Sequence, residues 1–116
     1  MGGQKGKPMK MLEKLRAEQD KIDAEITAAI ARRIALRKKI SAFRINENLP
    51  TIDEARMTQV LDQAEKNADG TGIPKEMARE VFSLLIDWSH RLDRHWRSNP
   101  KELATGGPVD PTIERE

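Results

Sequence analysis

The sequence predicts an all-α subunit built from a long, a short and a medium helix. Three observations carry that expectation. Charged residues make up 34% of the 116 and aromatic residues 3%, a balance that suits helices with long solvated faces and leaves little for strands. No Pro or Gly occurs between Pro8 and Asn46. Two clusters of turn-forming residues, "NENLPT" and "NADGTG", divide the remainder of the chain.

The first helix is expected over residues 9–45. Its apolar residues fall on a three-then-four spacing, Leu12, Leu15, Ile22, Ile26, Ala29, Leu36, Ile40 and Phe43, with Gln19 and Arg33 occupying the two remaining places. "NENLPT" ends it, because Asn and a following Pro disfavour helix continuation. Thr51 with Glu54 three residues on is a capping-box pattern for a second helix carrying Met57, Val60, Leu61 and Ala64 on one face. After "NADGTG", Pro74 stands where a first-turn proline belongs. A third helix then runs to about Arg97, with Met77, Val81, Leu84, Leu85, Trp88 and Leu92 as its expected buried stripe. Residues 1–8 are expected to be a flexible N-terminus, 9–98 the helical domain, and 99–116, rich in Pro, Gly and charge without periodicity, a flexible tail.

The first helix poses a geometric problem. At 1.5 Å per residue it would be ~55 Å long, whereas a compact chain of this size has a radius of gyration near ~13 Å. Its own chain cannot cover it. An antiparallel homodimer with the two long helices side by side is the economical solution.

Composition narrows the chemistry. There is no cysteine, which removes disulfides, thiolate nucleophiles and cysteine metal sites, and with His90 and His95 as the two histidines no metal site is expected. No window approaches the ~20 apolar residues of a membrane span and no signal-peptide core follows the basic start, so the expectation is a cytoplasmic protein with no membrane contact. The net charge of +2 implies no general nucleic-acid footprint. A non-enzymatic alternative, a dimeric helical adaptor or nucleic-acid binder using "RRIALRKK" against phosphates, is disfavoured. Those cations lie partly inside the apolar stripe, and no tyrosine and two phenylalanines are available for stacking.

The cations of the first helix are the chemically informative feature. Arg33, Arg37 and Arg44 lie within about 40° of one another around the helix axis. Six cations, Arg32, Arg33, Arg37, Lys38, Lys39 and Arg44, occupy residues 32–44 with no Asp or Glu among them, so pairing within that stretch cannot neutralise them. A cation in a stripe destined for burial needs an anion from elsewhere. Arg16 lies ~25 Å earlier along the axis, reachable only across an antiparallel dimer. The third helix offers Ser89 and Asp93, one turn apart. Taken singly, Ser89 reads as a small residue at a helix contact and Asp93 as an ion pair with Arg94 or Arg97.

Together these residues resemble the all-helical chorismate mutases, over residues 12–96. That family implies intertwined homodimers of three-helix subunits and a small dianionic substrate, chorismate or isochorismate. No cofactor and no metal are implied, because the [3,3] rearrangement asks only for a held conformer and a stabilised ether oxygen. On that resemblance Arg16 in "LRAEQDKID" would reach into the partner's site. Arg33 in "ARRIAL" would grip a substrate carboxylate beside Arg37, Asp53 and Arg56 in "IDEAR" would open the second helix at the site, and Ser89 in "IDWSHRLD" would bind a carboxylate.

Three positions depart from the family pattern. Arg44 stands for a lysine beside the ether oxygen and holds a different donor geometry. Met57 stands for a glutamate that meets the C4 hydroxyl. Asp93 stands for a glutamine or protonated glutamate that donates to the ether oxygen, so it must be protonated, neutralised by an arginine, or outside the site. The resemblance therefore implies chorismate mutase activity, with Arg33, Arg44 and Asp93 as the catalytic candidates. Isochorismate-pyruvate lyase is the alternative, because that branch also lacks the glutamate and ends its third helix in a tryptophan-rich stretch. 4-Amino-4-deoxychorismate mutase ranks lower, since Met57 gives no reason to expect a cationic amine at C4.

Overall fold

The structure, a computed structural model, describes residues 2–104, with side chains from residue 6 onward. It is all-α: α1 (Gly2–Asn46), α2 (Glu54–Ala68), α3 (Lys75–Ser98) and a short α4 (Pro100–Ala104). The chain forms two compact units, Met1–Ile34 and Ala35–Glu116. Among the described residues no helix is long and apolar enough to cross a membrane.

The first unit consists of α1 up to Ile34. The helix begins at Gly2, earlier than the expected start near Met9, and takes in Pro8. Pro8 lies in the second turn and has no N–H to donate, so the helix forgoes one i→i−4 bond there. The apolar stripe here is uncovered: Leu12, Leu15, Ile22 and Ile26 are all exposed.

The second unit starts with the last three turns of α1. That helix ends through a left-handed residue, Asn48 at φ 55°, with Leu49 N donating to Arg44 O at 2.8 Å, a reversal that Asn tolerates better than most residues. The α2 cap differs from expectation. Asp53 is the N-cap, its carboxylate accepting from the Arg56 backbone N at 2.9 Å, and the helix opens at Glu54. Thr51 is in the preceding loop, its carbonyl held by Arg44 Nη1 at 2.8 Å. Asp53→Ala is expected to cost about 1 kcal/mol of stability, read as a lowered urea midpoint with an unchanged slope.

α2 packs on α3 through Ala64, Ala68 and Ala78 with Phe82 against them. The small side chains let the two backbones approach, and Gly70 (φ 75°) and Gly72 (φ 88°) make the left-handed turns between the helices. Pro74 is the N-cap of α3, one place before the expected first turn.

The buried face of α3 also differs from expectation. It consists of Ala78, Ile86, Ser89, Leu92, Asp93 and Trp96. Of the predicted stripe, Leu92 is buried, Leu85 and Trp88 are half-buried, and Met77, Val81 and Leu84 are exposed. An apolar period locates a hydrophobic face, but the neighbours decide which face turns inward, and here they receive Ser89 and Asp93 together with Ile86, Leu92 and Trp96.

The start of the predicted tail, residues 100–104, is helical as α4. It is tied to α3 by His95 Nε2 and Glu102 Oε2 at 2.5 Å. The rest of that tail, 105–116, and Met1 lie outside the described residues.

Candidate active site

Arg16 and Arg33 belong to the first unit, where Arg16 is exposed and Arg33 half-buried. The other candidates belong to the second unit. Arg37 is half-buried and Lys38, one residue on, is buried. Arg44 uses Nη1 to hold the loop that follows its own helix, donating to Pro50 O at 3.3 Å and Thr51 O at 2.8 Å. Asp53 serves as a helix cap. Arg56 is exposed, with Nη1 on Gln59 Oε1 at 3.4 Å, and Met57 is half-buried one residue later.

On α3, the buried Ser89 donates its hydroxyl to the Leu85 carbonyl at 2.8 Å. A back-bonded helical serine of this kind keeps oxygen lone pairs for a second partner. Trp88 carries Arg91 over its ring at 4.8 Å, and Arg91 also pairs with Asp87 at 2.7 Å.

Asp93 answers the question its position raises. It is 2% exposed. Ser41 Oγ donates to Oδ1 at 2.5 Å and Arg97 Nε donates to Oδ2 at 2.8 Å. Of the three states open to it, the geometry matches neutralisation by an arginine: both oxygens accept, as an anionic carboxylate does. Ser41 was not among the residues singled out from sequence. The signal for it was its place on α1, one turn from both Arg37 and Arg44, but a lone serine in a cationic stretch has no pattern that betrays a buried bond.

His90 lies among these charges. Its pKa is lowered from the ordinary 6.5, first by burial, then by the Arg37 and Arg94 cations, with Asp87 and Asp93 opposing. A histidine depressed in the folded state contributes stability that is present above the unfolded value near 6.5 and is lost as pH falls through the lower folded value. The melting midpoint is therefore expected to drop on acidification below about pH 6.5, and less so in His90→Gln. Equal slopes in the two proteins would remove His90 as the cause.

The comparisons with known proteins agree with this architecture. The family model for chorismate mutase type II matches residues 15–94. Two relatives are both 4-amino-4-deoxychorismate mutases. The one from Streptomyces pristinaespiralis is 28% identical over 101 residues, 87% of this chain and 74% of the relative. The one from Streptomyces venezuelae is 27% identical over 82 residues, 71% of this chain and 80% of the relative. No solved structure matches the chain. With most of its length matched by that family model and its helices following one another in the long, short and medium order expected of it, this chain belongs to the type II chorismate mutases, a family of isomerases.

Proposed function

We propose that the chain catalyses the [3,3] rearrangement of a chorismate-class dianion, with 4-amino-4-deoxychorismate its first substrate and chorismate its second. The observation that carries the choice is the activity shared by both relatives across most of this chain. It reverses the order taken from Met57 alone. Met57 offers at most a weak thioether acceptor to either a C4 hydroxyl or a C4 ammonium, so that position selects neither substrate and the relatives carry the choice.

In this reading the domain spans residues 9–98. Arg33, with Arg37 beside it, and Arg16 from a second copy bind the two carboxylates, and Ser89 assists. Arg44 faces the ether oxygen, while Asp53 and Arg56 order the start of α2 beside the substrate. Binding of this kind accelerates a unimolecular reaction by holding the reactive conformer and by presenting fixed positive charge where negative charge develops. The requirement for a second copy is supported by the exposed apolar stripe of α1, which continues through Leu36 and Phe43, 58% and 60% exposed. Burying such a stripe against its own copy is a strong drive to association.

The experiment is direct. The purified protein is incubated separately with 4-amino-4-deoxychorismate, chorismate and isochorismate, and the products are identified. Formation of the 4-amino analogue of prephenate is expected, with slower conversion of chorismate to prephenate. Salicylate plus pyruvate from isochorismate, with neither mutase product, would overturn the reading. Arg44→Ala is expected to lower turnover at least ~100-fold. Because it also releases the Pro50 and Thr51 carbonyls, it should lower stability by about 1 kcal/mol, measured by urea denaturation.

A further inference from the structure

One buried hydrogen bond ties the C-terminal turns of α1 to α3. Ser41 is 1% exposed and Asp93 2% exposed, and their side chains meet at 2.5 Å across 52 residues of sequence. On α1, Ser41 follows Arg37 by four residues and precedes Arg44 by three, so the three share a face. On α3, Asp93 follows Ser89 by four residues and precedes Arg97 by four, so those three also share a face. The Ser41–Asp93 bond therefore fixes the register between the face bearing two of the row's arginines and the face bearing the buried serine.

Arg97 completes the arrangement. A carboxylate this deeply buried is costly unless a cation and hydrogen bonds compensate it. Arg97 Nε at 2.8 Å supplies the cation, and the Ser41 hydroxyl supplies the second donor. A neutralised carboxylate also spares an incoming dianion the repulsion of an unpaired one. With both oxygens accepting, Asp93 offers no proton to a substrate.

We propose that Ser41, Asp93 and Arg97 form a positioning unit for the mutase reaction: Asp93, anchored by Ser41 and neutralised by Arg97, locks the Arg37 and Arg44 face of α1 against the Ser89 face of α3 and takes no part as an acid. The proposal rests on the mutase reading. It assigns a role to Ser41 and replaces the proton-donor role for Asp93.

The test uses the full chain as wild type, Ser41→Ala, Asp93→Asn and the double variant, with 4-amino-4-deoxychorismate and chorismate as substrates from about pH 5 to about pH 8. Each single change is expected to lower kcat/KM at least ~10-fold, because a small shift of positioned charges is costly. The double variant should be no slower than the worse single one, since both changes break the same bond. The wild-type kcat profile should contain no acidic rise that Asp93→Asn abolishes. Such a rise, multiplicative losses in the double variant, or wild-type rates in Ser41→Ala would each overturn the proposal. Should Asp93→Asn fail to fold, Ser41→Ala still tests it, since that change leaves the Arg97 pair in place. A wild-type protein inert toward every substrate would overturn the mutase reading instead, whereas an active wild type indifferent to Ser41→Ala overturns the positioning unit alone.

Discussion

Arg33→Ala is expected to lower turnover at least ~100-fold while the variant keeps its helix content and melts cooperatively. The size follows from the role: removing one charge-assisted donor from a site that excludes water commonly costs about 2.7–4 kcal/mol of barrier, or ~10²–10³ in rate. The selectivity for activity over folding follows from position. Arg33 is half-buried in the middle of a long helix, and alanine is the best helix former, so local structure does not suffer. Steady-state kinetics beside circular dichroism separate the two effects. A near-normal rate in a folded Arg33→Ala protein would end the case for a carboxylate-binding arginine row.

The largest stability effect is expected at Trp96. It is 0% exposed, the bulkiest fully buried side chain among the described residues, at the end of α3 beside Asp93 and Arg97. Trp96→Ala should cost about 3–5 kcal/mol, the usual range for emptying a large aromatic site. The backbone there also carries the turn into α4, with Asn99 N donating to Trp96 O at 3.1 Å. The indole Nε1 is buried without a hydrogen-bond partner, which makes a second substitution informative. Trp96→Phe discards a donor that satisfies nothing, so its cost should be that of lost volume alone and well below that of Trp96→Ala. Urea denaturation of the two variants reads the difference, and equal losses would mean that the indole nitrogen is bonded in solution.

The helices were legible from the residue order because their signals are local. The Pro- and Gly-free run up to Asn46, the "NENLPT" and "NADGTG" breaks and Pro74 each act within a turn of where they stand, and α1, α2 and α3 end within a residue or two of where these place them. The α2 cap shows the limit of that logic. Thr51 and Asp53 both offer an oxygen ahead of the helix, and the choice falls to Asp53 where Arg44 holds the Thr51 carbonyl in the loop.

The arginine row of residues 33–44 is a matter of spacing, which a helix converts into direction with no help from packing. Spacing also laid Leu12 to Phe43 along one stripe. That stripe is exposed at most of its large members.

Residue order alone thus settled the helix class, the helix sequence and the cationic row, because backbone propensity and helical period act over a few residues. Folding in three dimensions settled the rest: the face of α3 that turns inward, the burial of Ser41, and the pairing of Asp93 with Ser41 and Arg97. The Ser41 bond joins residues 52 apart, and burial makes a polar side chain seek such a partner without leaving any periodic trace in the chain.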